Sequence, residues 1–254
     1  MSDMRGVASS GQPPPHAVLV VDGEPLLREA VGHWLKQSGD FTLCGEAEEA
    51  AQALECVERR RPALVVTELA LPGRSGLELI KDLRAHHPEV RVLVFTRCDE
   101  RLYAGRALRA GARGFLSKRA RGEELLAALR QVMAGRIALA ADLALRLLEE
   151  FTGVNDAGVG GLGRLTDREL EVLRWLGQAR TVREIATLLH LSPKTVETHR
   201  VNIMRKLRIP SSPELLRFAL QLTEGELGAG LAAAVSGPDA AVPRPGRGAQ
   251  PQGS

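Results

Sequence analysis

Short β-branched runs alternate with helical patterns through the first half of the chain, and this alternation constrains the fold more than any other sequence feature. The runs are AVLVV (17–21), FTLCGEA (41–47), ALVVTEL (63–69), RVLVFT (91–96) and GFLS (114–117). Each precedes a segment with apolar residues at helical spacing, and these segments are 26–37, 48–60, 76–86, 100–111 and 122–133. Such strict alternation predicts an α/β fold, a doubly wound five-stranded parallel sheet with helices on both faces.

Polar residues follow the predicted strands. Asp22, Glu68, Thr96 and Lys118 each lie at or near the carboxyl end of one of them. Because the carboxyl ends of parallel strands meet at one edge of the sheet, where open α/β folds bind ligands, we expect these side chains to share one site.

Composition divides the chain into domains, tails and a linker. Residues 1–15 end in a Pro triplet and residues 225–254 are dominated by Ala, Gly and Pro, which predicts two disordered tails. Five glycines within 153–163 predict a flexible linker, preceded by a bridging helix at 138–151. The predicted plan is a first domain at 16–135, a linker region at 136–163 and a second domain at 164–224.

Several classes of protein are disfavoured by what the sequence lacks. No apolar stretch approaches the roughly 20 residues that cross a bilayer, and the N-terminus has no apolar signal segment, so we expect no membrane association and a cytoplasmic location. Cys44, Cys56 and Cys98 lack the spacing of a zinc site or redox pair, which predicts reduced structural thiols. There is no Gly-rich phosphate loop or nucleophile motif, so we do not expect an enzyme.

Helix-start signals are frequent in the second domain. They are two capping boxes and two Ser-Pro N-caps: Thr166 with Glu169, Thr181 with Glu184, Ser192 with Pro193, and Ser212 with Pro213. These signals predict an all-α domain of four short helices, the last at 213–222.

The third predicted helix has two distinct faces. On a helical wheel Val196, Ile203 and Leu207 fall within about 40° of one another and should face the core. The opposite side carries Lys194, Thr198, Val201 and Arg205, flanked by Glu197 and Asn202. Residues 164–224 hold 11 Lys and Arg against 7 Asp and Glu, a net of +4, which is compatible with contacts to phosphate.

The segment 165–209 resembles the LuxR/NarL-type helix-turn-helix, because TDRELEVL, REIA, LSPKTVETH and MRKL occur in order. The resemblance implies that the third helix enters the major groove of double-stranded DNA and that the fourth contributes to a homodimer. The predicted DNA-binding residues are Lys194, Glu197, Thr198, Arg200, Val201, Asn202, Arg205 and Lys206, with His199 assigned a structural role. Ala179 and His190 occupy common Gly positions; a left-handed conformation at either would cost about 1 kcal/mol.

Residues 16–135 resemble response-regulator receiver domains. The matching features are VLVVDGEPLLRE, LALPGRSGLELI, Thr96 after a β-branched run, and GARGFLSK with Lys118. The resemblance implies an aspartate that is phosphorylated by a histidine kinase in the presence of Mg²⁺, Thr96 and Lys118 as the groups that read the phosphoryl oxygen, and Phe115 as the aromatic switch residue.

Two residues depart from the receiver pattern. Glu68 stands where the acceptor aspartate belongs, and Gly23 replaces one of two adjacent acidic residues, for which Glu24 is only a displaced substitute. We therefore expect no cofactor and no efficient Mg²⁺ binding. Glu68 is longer than aspartate by roughly 1.5 Å, which carries its carboxylate toward Thr96 and Lys118. It either imitates the phosphorylated state or only stabilises a degenerate pocket.

Three functional hypotheses follow. The leading one is a dimeric, sequence-specific DNA-binding transcription regulator with a phosphorylation-independent receiver. The second is a conventional response regulator that accepts phosphate from a histidine kinase through Glu68 or another carboxylate. The third is an interaction module that binds a protein partner and contacts DNA only incidentally.

Overall fold

The first domain is built on one parallel sheet. The computed structural model describes residues 14–152 and 158–235. Five strands pair in the order β2-β1-β3-β4-β5, which confirms the predicted doubly wound α/β fold. The strands are β1 (His16–Val21), β2 (Phe41–Ala47), β3 (Leu64–Thr67), β4 (Arg91–Thr96) and β5 (Gly114–Ser117).

Five helices cover the two faces of this sheet. They are α1 (Pro25–Ser38), α2 (Ala50–Arg60), α3 (Gly76–His86), α4 (Glu100–Ala110) and α5 (Gly122–Met133). Side chains of β1 alternate between two apolar clusters: Leu19 and Val21 pack with α2, α3 and α4, and Val18 and Val20 pack with α1 and α5. Because both faces are buried, the strands appear in the sequence as continuous apolar runs.

The second domain is helical, as predicted. A bridging helix α6 (Ala141–Thr152) and a 3₁₀ helix (Gly158–Arg164) lead into α7 (Asp167–Gly177), α8 (Val182–Leu188), α9 (Pro193–Leu207) and α10 (Ser212–Val235). The two capping boxes and the Ser192 N-cap are confirmed.

The last helix differs from the prediction at both ends. The Oγ of Ser211, not Ser212, accepts the N-terminal hydrogen bond, from the backbone N–H of Glu214 at 3.4 Å. The helix also continues to Val235, through the first part of the predicted disordered tail. The added segment is rich in Ala, the residue with the highest helix propensity, which offsets its glycines. The remainder of that tail and residues 1–13 lie outside the described residues.

The second part of the predicted flexible linker forms the 3₁₀ helix, and residues 153–157 lie outside the described residues. Leu162 is buried in the apolar core there, and its carbonyl accepts a hydrogen bond from Arg106 Nη2 at 3.1 Å. One buried leucine and one arginine thus order a segment that its glycine content alone marks as a linker.

The two domains are in direct contact along an interface that we call the domain seam. It joins α3, α4 and the loop after β3 to the 3₁₀ helix, α7 and the end of α8. The backbone N–H of Gly73 donates to the carbonyl of Leu188 at 2.8 Å, and both Lys81 and Arg106 form ion pairs with Asp167. Within the described residues, no helix is long and apolar enough to span a membrane.

In the described part of the chain, four non-glycine residues have left-handed backbones at helix ends: Arg61, Ala179, His190 and Arg208. Ala179 has φ 57° and His190 has φ 51°, so both adopt the left-handed conformation that the glycine common at these positions would favour. The His190 ring also packs against the left-handed Gly73 across the domain seam, where an added Cβ would lie 3.0 Å from the ring.

Candidate functional site

Four polar side chains meet at the carboxyl edge of the sheet. Asp22 follows β1, Glu68 follows β3, Thr96 ends β4 and Lys118 follows β5. Their side chains are almost completely buried, although three of them are ionisable. We call this group the receiver pocket. The expected proximity is confirmed; the functional roles of these residues stay a prediction.

Both carboxylate oxygens of Glu68 are engaged. Oε1 accepts hydrogen bonds from the backbone N–H groups of Leu69 at 2.6 Å and Ala70 at 3.1 Å, and also from the hydroxyl of Thr96. Oε2 lies 2.7 Å from Lys118 Nζ. The tight turn after β3 therefore folds the backbone around its own side chain, which holds the carboxylate in one orientation.

Lys118 bridges the two buried carboxylates. Its Nζ lies 2.7 Å from Asp22 Oδ2 and 2.7 Å from Glu68 Oε2, and its side chain is 3% exposed. Unpaired buried charges carry a desolvation cost of several kcal/mol each, so the three groups depend on one another.

The ionisation of the receiver pocket follows from these contacts. Burial alone would raise the pKa of Glu68, but Lys118 and the hydrogen bonds from Thr96 and Ala70 hold it below the ordinary value of 4.5. Burial would lower the pKa of Lys118, but the two carboxylates raise it. Burial raises the pKa of Asp22 in spite of its hydrogen bond with Lys118. Glu68 is therefore the more firmly anionic partner of the lysine.

Arg28 on α1 supports the pocket and was missed by the sequence reasoning. Its Nη1 donates to the carbonyl of Asp22 at 2.6 Å, while its other nitrogens pair with Glu46 at 3.0 Å and Glu48 at 2.9 Å. The only signal in the sequence is a basic residue within the apolar pattern of the first helix.

Glu24 lies at the mouth of the pocket rather than within it. Its side chain is 47% exposed and pairs with Arg97, and its Oε1 is 3.6 Å from Lys118 Nζ. Gly23 beside it has free space, since an added Cβ would meet only Pro72 at 3.8 Å.

The residues of the receiver pocket do not fit a Mg²⁺ site. The metal prefers an octahedral shell of oxygen ligands, but the position between Asp22 and Glu68 is filled by the ammonium group of Lys118. In the described part of the chain, no group of three or more His, Cys, Asp and Glu side chains is arranged to hold a metal ion.

A chain of hydrogen bonds runs from the pocket to the second domain. The Thr96 hydroxyl accepts from the backbone N–H of Cys98 at 3.0 Å, and Cys98 Sγ accepts from Arg174 Nη1 of α7 at 3.1 Å. Phe115 is buried in the apolar cluster that also contains the inner face of α4.

The third helix of the second domain, α9, has the two faces that the wheel predicts. Val196 and Ile203 are fully buried, and Leu207 is half-buried. The opposite side is exposed over its whole length: Lys194, Thr198, Val201 and Arg205. We call these four residues the exposed α9 face. Val201, the apolar member of this face, is 57% exposed.

The flanking residues of α9 divide into two groups. Glu197 is exposed and pairs with Arg200 at 2.7 Å, and Asn202 accepts from Arg205 at 3.0 Å. Lys206 instead places its ammonium 2.6 Å from Glu169 of α7. It lies about 120° around the helix from Lys194, between the exposed and buried faces, which explains its turn toward the fold.

His199 is half-buried, and burial lowers its pKa; its structural role stays a prediction.

Comparison with known families assigns both domains. Residues 18–130 match the family model of the response regulator receiver domain, and residues 164–219 match that of the bacterial regulatory proteins of the luxR family. A Pseudomonas aeruginosa protein described as a transcriptional regulator is 40% identical over 202 residues, which cover 80% of this chain and 96% of the relative.

The chain belongs to the LuxR-family response regulators.

Other members of the family agree in extent and fold. The transcriptional activator protein ExaE of Pseudomonas putida is 36% identical over 204 residues, covering 80% of this chain and 95% of ExaE. The structure of RcsB from Salmonella enterica serovar Typhimurium, bound to promoter rprA in the presence of phosphomimetic BeF₃⁻, superimposes with a TM-score of 0.61 at 25% identity, covering 81% of this chain and 98% of that one. The chain is thus a DNA-binding transcription regulator of this family.

Proposed function

We propose that this LuxR-family response regulator is a sequence-specific regulator whose receiver domain signals without being phosphorylated. The observation that carries the proposal is the state of Glu68, which stands at the acceptor position with both carboxylate oxygens already bound.

Glu68 is a poor phosphoryl acceptor in this environment. An acceptor carboxylate needs a free oxygen in line with the incoming phosphorus and a cation to neutralise the developing charge. Here Oε1 receives three hydrogen bonds, Oε2 is paired with Lys118, and the residue is 6% exposed. Lys118 also occupies the position at which a divalent cation would bridge to Asp22.

The same contacts favour Glu68 as a permanent substitute for a phosphoryl group. Thr96 and Lys118, the two groups that read a phosphoryl oxygen by family resemblance, both contact its carboxylate. Opposite charges 4 Å apart interact by about 4 kcal/mol at the effective dielectric of a protein surface, before the desolvation cost is subtracted. The net bias is smaller than this gross figure, but about 1.4 kcal/mol already changes an equilibrium between two receiver arrangements tenfold.

The exposed α9 face is the proposed DNA-reading surface. Lys194 and Arg205 are suited to phosphate or guanine, and Thr198 and Val201 to the methyl group of thymine. RcsB has been solved as two dimers bound to two parallel DNAs. We propose a homodimer for this chain too, with half-sites about one helical turn apart or a multiple of it.

A phosphodonor experiment tests the proposal. The full chain is incubated with acetyl phosphate and Mg²⁺, its intact mass is measured, and its affinity for an operator found by footprinting is compared with and without the donor. We expect no added phosphate and unchanged affinity.

The double variant with Glu68→Asp and Gly23→Asp is the positive control, because it restores the acidic pattern at a position with room for a side chain. We expect it to gain phosphate and respond to the donor. Phosphorylation of the parent chain with tighter DNA binding would instead establish a conventional response regulator.

A further inference from the structure

A basic cleft lies at the domain seam, away from the receiver pocket and the exposed α9 face. Its volume is about 520 Å³, within the range of small-ligand sites. The charged side chains that line it are Lys81 and Arg84 of α3, Arg106 and Arg109 of α4, and Asp167 at the start of α7.

The cleft carries a strong positive charge. Two helices each contribute a pair of basic residues three positions apart, a spacing that places both members of a pair on one helix face. Four cations and one carboxylate give a formal net charge of +3. The acidic residues Glu78 and Asp82 of α3 pair with Arg74 and do not line the cleft.

Asp167 neutralises only part of this charge. Its Oδ2 lies 2.6 Å from Lys81 Nζ and its Oδ1 lies 2.9 Å from Arg106 Nη1. Arg84 donates to the carbonyl of Arg109 at 2.9 Å. Among the residues whose side chains the structure describes, 14–149 and 161–223, neither Arg84 nor Arg109 forms an ion pair with a carboxylate.

The side chain of Arg106 is fixed in one position by hydrogen bonds to the backbone. Its Nη2 donates to the carbonyls of Leu162 at 3.1 Å and Leu165 at 2.9 Å, so little side-chain freedom is left to lose. Guanidinium groups match the geometry of phosphate oxygens and bind them through paired hydrogen bonds.

We propose that this cleft binds a small anion with two or more linked phosphate groups, of the class of pyrophosphate and nucleoside polyphosphates. A singly charged anion would leave most of the positive charge uncompensated, whereas a polyphosphate matches the excess of three.

The ligand would also act on the domain seam. It competes with Asp167, which belongs to the second domain, for Lys81 and Arg106, which belong to the first. Binding of the anion therefore weakens contacts that join the domains, and by thermodynamic linkage a weakened domain seam binds the anion more tightly.

Calorimetric titration of the full chain with pyrophosphate and with ATP, at constant ionic strength and without divalent cations, tests the site. We expect both compounds to bind. Arg84→Gln and Arg109→Gln should each weaken this binding about tenfold, which is the effect of losing one hydrogen bond between charged groups. Arg101→Gln is the matched control, because this exposed arginine of α4 lies outside the cleft. Asp167→Asn should tighten binding at least threefold.

A second measurement follows the domain seam itself. Cys98 is 8% exposed beneath Arg174, so in a Cys44→Ala, Cys56→Ala background its rate of labelling by a thiol reagent reports how closely the domains are packed. We expect saturating pyrophosphate to accelerate this labelling several-fold in that background. When Arg109→Gln is added, the same acceleration should require a higher concentration of pyrophosphate.

Any one of the following results would overturn the proposal: no binding of pyrophosphate or of ATP, an equal loss of binding in Arg101→Gln, an affinity for citrate equal to that for pyrophosphate, or unchanged labelling of Cys98 at saturation. A loss of operator affinity in Arg84→Gln and Arg109→Gln without any anion binding would also overturn it, because the cleft would then be a DNA contact.

Discussion

The guanidinium group of Arg174, on the first helix of the DNA-binding domain, donates a hydrogen bond to the thiol of Cys98 in the receiver domain over 3.1 Å. Cys98 in turn donates its backbone N–H to Thr96, which contacts Glu68, so a single residue, Cys98, connects this arginine of the second domain to the receiver pocket. Arg174 also covers the ring of Trp175, with 4.8 Å between the guanidinium carbon and the ring centroid.

We expect Cys98→Ala to lower the free energy of unfolding by about 1–2 kcal/mol, because it leaves a buried guanidinium N–H without an acceptor. Arg174→Met should lower the free energy of unfolding less in the Cys98→Ala background than in the parent, because the effects of substitutions at contacting residues are not additive. Denaturant unfolding followed by circular dichroism measures both. Arg217→Met, an exposed arginine of α10, should change stability little in either background, and strict additivity of the Cys98 and Arg174 changes would contradict the coupling.

Substitutions on the exposed α9 face should separate affinity from base preference. Lys194→Ala and Arg205→Ala should each weaken operator binding and reduce the slope of log affinity against log salt by about 1, because one counterion fewer is released. Thr198→Ala and Val201→Ala should reduce discrimination between operator variants by about 1 kcal/mol. Fluorescence anisotropy at several salt concentrations measures both effects.

Lys206→Met is the control for those variants, because Lys206 pairs with Glu169 and faces the fold. It should leave the salt slope unchanged. If Lys206→Met reduces the slope as much as Lys194→Ala does, the proposed division of the helix is wrong.

Acid should remove the stabilisation that Glu68 provides. The folded-state pKa of Glu68 lies below 4.5, so its ion pair contributes fully at pH values above 4.5 and is lost as pH falls through the folded pKa. Glu68→Gln should lower the free energy of unfolding by about 2 kcal/mol near pH 7, less than for an isolated buried pair because Asp22 still accompanies Lys118.

Urea unfolding of the parent and of Glu68→Gln across a pH series measures this difference. It should be constant between pH 5 and 8, within about 0.5 kcal/mol, and narrow on further acidification. A difference that widens as pH falls would show that Glu68 is protonated in the folded protein.

The left-handed residues Ala179 and His190 should respond differently to substitution by glycine. Ala179→Gly should stabilise the protein by up to about 1 kcal/mol, because it removes backbone strain at φ 57°. His190→Gly should gain less or lose stability, since it also removes the ring that packs on Gly73. Thermal melting measures both. Ala127→Gly, at an exposed position inside α5, should destabilise by about 1 kcal/mol and shows the ordinary cost of glycine in a helix.

Local patterns in the sequence predicted most of the secondary structure and the grouping of Glu68 with Lys118. Strand runs, capping boxes and the two faces of α9 depend on residues a few positions apart, so these patterns can be recognised in a single sequence. The domain seam is different, because Lys81 and Arg106 look like solvated helix residues until Asp167 is folded against them. Leu162 is similar, since its side chain packs into an apolar core formed by residues distant in sequence and its carbonyl binds Arg106.

The exposed α9 face is open to solvent while the domain seam is formed. An inhibitory contact that covered the proposed DNA-reading surface would bury Val201, whose side chain is instead 57% exposed. We therefore expect opening of the domain seam to change the orientation of the second domain relative to its receiver, and not the exposure of the α9 face. In a homodimer joined through its receiver domains, the state of the domain seam would then set the distance between the two half-sites that the dimer can bind. Closed and open forms would then select operators of different spacing.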